Sequence, residues 1–406
     1  MGILRFSYME RRFLILALIL CLACSVQGQS DTTKYRRGSI YSIMIKHENQ
    51  PFADDLGKIF VEMPVPDKYN NHNLNVKIVS IGESKLKDQE AIPEFLKTNF
   101  IASRLVGKWF NRDAKTGACD MELIKERGVY NASASDEELA KKSIRGRAML
   151  EDAGEELINC TFVLVNDISY TLTSANPMLT PLKRGLSKLI AKQDDNDIEK
   201  KAVEGTIAKI GSGGFKVRVH TYLYRLDWDE KMSERFYKEC YSESPDEAKK
   251  RNFDSLRGDF TLQYMGDQES SGNKMKVFSV NLNPTMLVRI ACQRALDENV
   301  AKLQRNFDVF KVKAPLLNIS PITSQIGMKE GMTEKSRYEV LEVIEDERGH
   351  IEYKRVGVIK PVAGKIWDNR FMAVEEGAEN ATLGYTTFEK VSGGDFYPGM
   401  LIREIK

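Results

Sequence analysis

The fold class this sequence predicts is α+β or α/β: a mixed sheet with helices in an N-terminal body, then a small β-barrel or sandwich at the C-terminus. Three observations predict it. Strand-like and helix-like apolar patterns alternate between Ser39 and Val106, the order that crossover connections produce. The run Cys160 to Val165 is apolar apart from Thr161 within a strand-length segment, as expected of a strand covered on both faces. Beyond Val309 helical spacing fades, and short β-branched runs follow one another between turns.

Taken in order, the chain opens on a leader. Arg11 and Arg12 precede an uninterrupted apolar run, Phe13 to Cys24. That run is shorter than the roughly 20 residues a membrane-spanning helix needs. Val26, Gln27 and Gly28 then suit a signal peptidase pocket, so residues 1–28 read as a signal peptide cleaved between Gly28 and Gln29. Membrane association would require lipidation at Cys24, where Cys21 stands at the position usually held by Leu in a bacterial lipoprotein box. Three of the 60 basic and one of the 58 acidic residues lie in the leader, so the remaining chain is close to neutral. No polycation is left to exchange for counterions, which excludes nucleic acid as the expected partner.

Residues 29–173 read as an α/β domain. Ser39–Lys46 is β-branched and unbroken, a buried strand. Phe52, Leu56, Ile59, Phe60 and Met63 recur at helical spacing until Pro64 and Pro66 stop them. Leu74–Ile81 reads as a strand, and Ile92–Val106 as one helix opened by Pro93. Ser135 and Glu138 form a capping box ahead of a face carrying Leu139, Gly146, Leu150, Ala153 and Leu157. A long central strand, Asn159–Leu172, follows.

Residues 174–205, with two prolines and a charged run, read as an insertion or linker. Residues 206–310 continue the body. Strands Thr206–Ile210 and Phe215–Leu226 flank a glycine turn, and Asp259–Met265 pairs with Lys274–Val280 around the turn-rich DQESSGN. Asn283 and Pro284 then open a helix whose face is Val288, Cys292, Leu296, Val300, Leu303 and Phe307. Residues 311–406 form the small β-rich domain. Its expected strands are Arg337–Ile344, His350–Ile359, Thr387–Val391 and Met400–Ile405, with turns at Gly331-Met332 and Gly399-Met400.

Familiar catalytic constellations are mostly excluded. Gly211 to Gly214 lacks the Lys and the following helix of a phosphate loop. Ser84 with Lys87, and Lys115-Thr116-Gly117, match fragments of the penicillin-interacting motifs, but the Ser-Asp-Asn element is missing. His47, His72, His220 and His350 are scattered without metal-ligand spacing, and Asp194 to Glu199 lacks the glycine of a calcium loop. No catalytic, cofactor or metal residue is therefore assigned. His220 reads as a sheet-face residue within KVRVHTYLY. Tyr222, Tyr224 and Trp228 alternate on the same strand, a pattern that suits sheet packing or, if exposed, glycan or protein binding. Of the four cysteines left after cleavage, Cys160 and Cys292 read as core, and Cys119 and Cys240 as the pair for a disulfide.

The element order over residues 39–310 resembles that of the curli secretion lipoproteins and their tolB-N-like relatives. Gly327 to Met332 (GMKEGM), Tyr338 to Val343 (YEVLEV) and Val356 to Ile359 (VGVI) are similar to the C-terminal module of flagellar assembly protein T. The resemblance implies a non-enzymatic part of an envelope machine, able to form a homo-oligomer. With the leader, this gives the expected function: an exported binding and assembly protein of the periplasm or outer-membrane periphery. Its expected partners are envelope proteins or cell-wall glycan. The alternatives are a hydrolase using carboxylates near Asp167 or Asp227 to Glu230, and a cell-wall glycan binder acting through the C-terminal module.

Overall fold

The computed structural model describes residues 35–36, 38–47, 53–81, 90–130, 140–141, 156–174, 213–272, 284–345 and 351–405. The leader, the Ser135–Glu138 box and its helix face up to Ala153, the 175–212 segment and the expected strand Lys274–Val280 lie outside them. Within them the fold is α+β, with one mixed sheet and one closed antiparallel barrel.

The mixed sheet runs β2–β1–β4–β5–β6, with β3 also on β1. Its strands are β1 (Ser39–Ile45), β2 (Asn70–Asn71), β3 (Ile78–Val79), β4 (Thr161–Ser174), β5 (Gly213–Leu226) and β6 (Leu262–Gly272). β1 is parallel to β2, β3 and β4, whereas β4, β5 and β6 are antiparallel neighbours. The long apolar strand read from sequence is β4, between β1 and β5, which explains its lack of alternation.

Each face of the sheet has its own core. Helices α1 (Ala53–Glu62) and α7 (Pro284–Asn306) cover one face. There Leu56, Phe60, Cys292 and Ala295 meet Met44, Ile168 and Val219, while Val300 and Leu303 meet Ile40, Phe162 and Leu223. Helices α2 (Ala91–Thr98), α3 (Ile101–Trp109), α4 (Glu122–Tyr130), α5 (Glu230–Glu239) and α6 (Glu247–Leu256) supply the other core. Leu105, Trp109, Phe110, Ile124, Phe236 and Phe253 there join Tyr41, Ile43, Val163 and Val165.

Several sequence expectations are corrected. The single helix over Ile92–Val106 is two, because Phe100 takes a left-handed conformation (φ 52°) and turns the chain between α2 and α3. The strand expected over Leu74–Ile81 shrinks to Ile78–Val79, since only its end reaches β1. α4 and α5 were not anticipated. Asp229, read as a loop carboxylate, caps α5 by accepting from the Met232 amide at 2.7 Å.

The hairpin expected around DQESSGN is the largest correction. Asp267 to Gly272 continue β6 instead of turning, paired with Tyr222 to Val217 of β5. Gly266, at φ 151°, makes the bulge that lets the strand proceed. A Cβ there would come within 2.3 Å of the Phe307 ring. Gly266→Ala is therefore expected to lower stability by about 2–3 kcal/mol through backbone strain and overpacking. A shift of the urea midpoint at constant slope would show it, and an unchanged midpoint would refute the assignment.

The C-terminal strands close as β10–β11–β8–β7–β12–β9. They are β7 (Ala314–Ile319), β8 (Ile322–Ser324), β9 (Arg337–Glu345), β10 (Ile351–Pro361), β11 (Thr386–Gly393) and β12 (Leu401–Ile405). Leu316, Tyr338, Val340, Ile359, Phe388 and Ile402 fill the interior. The barrel meets the body along polar contacts: Lys68 Nζ donates to Gln325 O at 2.7 Å, and Lys329 pairs with Asp67 at 3.1 Å. On α7, Arg294 pairs with Glu376 at 2.8 Å and Arg305 with Glu404 at 3.3 Å.

Candidate functional site

In open sheets with parallel strands, ligands gather beyond the carboxyl ends of those strands, where the chain departs to both sides. β1 is such a point, with β2 and β3 on one side and β4 on the other. Just past its end, His47 Nε2 lies 2.5 Å from Asp167 Oδ1 on β4. Asp167 stands opposite His220 on β5, and His220 opposite Glu269 on β6. Period-two alternation thus carries one row of polar side chains across three strands.

The row is closely bonded. The His220 ring donates from Nε2 to Asp267 Oδ2 at 2.6 Å, and its Nδ1 faces the Tyr222 hydroxyl at 3.2 Å. The two rings stack at 4.3 Å. Asp267 Oδ1 accepts from the Tyr264 hydroxyl at 2.5 Å. Arg218 donates to Glu269 at 2.5 Å. Burial alone would raise the Asp267 pKa, but the hydrogen bonds from Tyr264 and His220 outweigh it and hold the carboxyl below its usual range. Burial first, then the negative charge of Asp167 and Asp267, pushes the Tyr222 hydroxyl up.

Tyr264 is half exposed, while its neighbour Tyr224, 5.4 Å away, is buried. Tyr224 also lines a cavity of about 240 Å3 with Leu96, Phe100, Phe260 and Leu262, beside the polar row. The arrangement can hydrogen-bond a polar ligand through carboxylates and a guanidinium while presenting a tyrosine ring to it.

The residues singled out from sequence divide as follows. His220 is on the sheet face as expected. Tyr222 and Tyr224 alternate on one face of β5 as expected, Tyr222 in the row and Tyr224 buried in the core, whereas Trp228 lies beyond the strand against Phe110 and Phe236. Asp227 accepts from the Thr261 hydroxyl at 3.2 Å and is not among the residues of the row. His72 is buried beside Arg127, and burial followed by that positive charge holds it well below the usual imidazole range. Cys119 and Cys240, expected as a bridge, are both free and buried thiols, and burial pushes each up. Gly28, Gln29 and His350 lie outside the described residues. Among the described residues no three His, Cys, Asp or Glu side chains are placed to hold a metal, and no helix is long and apolar enough to cross a membrane. Asp267 lies in a stretch with the composition of a turn, and nothing beside Tyr264 in sequence marks its ring as the exposed neighbour of that carboxylate. Compared with protein-family models and with curated proteins, the chain matches none.

Proposed function

We propose that this chain is an exported envelope protein that works by binding and assembly, with no reaction centre, and that the His47–Asp167–His220–Asp267 face is its ligand surface. One observation carries the reading. His220, placed where a general base would stand, commits Nε2 to Asp267 and Nδ1 to the Tyr222 hydroxyl. A base must have a nitrogen free to reach a substrate proton. The leader supports export, and the resemblance to curli secretion and tolB-N-like proteins points toward the envelope. A cell-wall glycan is the ligand the face suits best, because Tyr264 offers an exposed ring beside Asp267, with Arg218 further along the same face. That differs from a glycan site on the C-terminal module, where the exposed Tyr397 hydroxyl donates to Glu342 at 3.4 Å.

The test uses the protein exported by a secreting host, its N-terminus sequenced and expected at Gln29. The purified chain is given peptide, glycan and phosphoester substrates, and its retention on insoluble peptidoglycan is measured. No turnover is expected, and Tyr264→Ala or Asp267→Asn should weaken retention about tenfold or more, the worth of one charge-assisted hydrogen bond. Turnover abolished by Asp167→Asn or Asp267→Asn would establish the hydrolase instead. Retention unchanged in both variants would remove the ligand surface from this face.

A further inference from the structure

The opposite face of the sheet holds a second polar feature, separate from the row above. Between α1, α7 and strands β1 and β4 lies a cavity of about 50 Å3. A water molecule needs roughly 10–15 Å3 measured this way, so there is room for a small polar group and a little more. Its polar lining includes Ser42, Asn166, Gln293 and Asp297, and its apolar lining includes Phe60, Met63, Val65, Leu296 and Val300.

The polar groups beneath it form a connected network. Asn166 donates to Ser42 Oγ and to Ile43 O, each at 3.0 Å, and accepts from the Thr221 hydroxyl at 2.9 Å. Asn299 of α7 donates to Val219 O at 2.9 Å and to Thr221 Oγ1 at 3.0 Å. What is missing is donors. Gln293 is 5% exposed, and its Oε1 has no partner; Asp297 Oδ2, one turn further along α7, has none either. Buried acceptors cost free energy when left unmade, and folded proteins keep few of them. Two such oxygens on one helix, i and i+4, line the same cavity.

The charges around Asp297 do not fill the deficit. Lys329 is paired with Asp67 and Arg294 with Glu376, and Glu330 accepts from the Gly327 amide and Asn369. Lys77, at the cavity, gives its ammonium to Val61 O at 2.8 Å. A ligand suited to the space would bring several N–H donors, one positive charge and a short apolar stem.

We propose that this cavity is a binding site for a primary alkylammonium group, with its N–H donors on Gln293 Oε1 and Asp297 Oδ2 and its methylenes against Phe60, Met63, Leu296 and Val300. Ammonium and carboxylate then form a charge-assisted pair shielded from water. A quaternary ammonium carries the same charge without donors and should be rejected.

The experiment is thermal unfolding of the full exported chain at pH 8 in propylammonium chloride, tetramethylammonium chloride or potassium chloride of equal ionic strength. Propylammonium is expected to raise the midpoint saturably by about 2 °C, as ligand linkage predicts for a chain of this size. The two other salts should give no saturable rise. Asp297→Asn and Gln293→Leu should each raise the half-saturating propylammonium concentration about tenfold or more, while Asp227→Asn, outside the cavity, leaves it unchanged. No shift, or an equal shift with potassium or tetramethylammonium, would mean that the cavity holds water or any cation, and would overturn the assignment. An unchanged half-saturating concentration in both cavity variants would overturn it too.

Discussion

Trp109→Ala is expected to destabilise the body by about 3–5 kcal/mol, the range for removing a buried tryptophan or phenylalanine. Trp109 ends α3 with no exposed surface. Three groups depend on its ring. His72 stacks on it at 4.9 Å, the Arg127 guanidinium lies over it at 4.4 Å, and its Nε1 donates to the Thr161 hydroxyl at 2.8 Å. Arg127 is a buried cation, pushed down to about 10 by burial, and it donates to Ser39 Oγ at 3.0 Å and to Asn71 O at 3.1 Å. Truncating Trp109 opens a cavity beside a charge that can be tolerated only while surrounded by acceptors and a ring face. Trp109→Phe supplies a smaller aromatic ring and loses the bond to Thr161, so it should cost less, about 1–3 kcal/mol. Denaturant unfolding of both variants provides the measurement. A loss under about 1 kcal/mol for Trp109→Ala would show that these groups find other partners.

How much of this was legible in sequence depended on whether the signal was local. β4 could be read because a strand covered on both faces is apolar throughout. α7 could be read because Pro284 opens it and Cys292, Leu296, Val300 and Leu303 hold one face. β9 to β12 could be read from β-branched runs between turns, whereas β7 and β8 are short and take their pairing from distant strands. The polar end of β6 was hidden for the same reason. Asp267 and Glu269 are poor strand formers alone, and their partners His220 and Arg218 sit on β5, far away in sequence. The break at Phe100 has no Gly or Pro to announce it, because burial of Leu96, Ile101 and Leu105 forces the turn. His220 was visible as an alternating residue, but nothing in its neighbourhood named Asp267 as its partner. The candidate site was thus half legible: its strand could be read, its bonding could not.

The pH dependence of stability should carry the mark of Asp297. Burial is the first cause of its displacement, and the carboxyl is pushed up from 3.8 to about 7, the positive charge of Lys329 offsetting only part of it. The folded chain therefore keeps a proton that the unfolded chain releases. Stability from this group is complete below the unfolded value near 3.8 and is lost as pH rises through about 7. A tenfold change in proton affinity is worth about 1.4 kcal/mol, so the whole loss is bounded at about 4 kcal/mol, and partial solvent access reduces it to roughly 2–3 kcal/mol. Asp297→Asn keeps the shape and abolishes the titration. The loss begins at 3.8, and a neutral carboxyl resembles an amide, so at pH 5 the variant should lead by only about a third of the full difference. At pH 8 it should lead by the whole of roughly 2–3 kcal/mol. Urea midpoints of both proteins at the two pH values test this, and taking the difference cancels every other titrating group. Parallel curves would show that Asp297 is solvated in the folded chain. If the curves do diverge, propylammonium at the parent's half-saturating concentration at pH 8 should narrow the gap, since the variant, without the charge, binds it about tenfold more weakly.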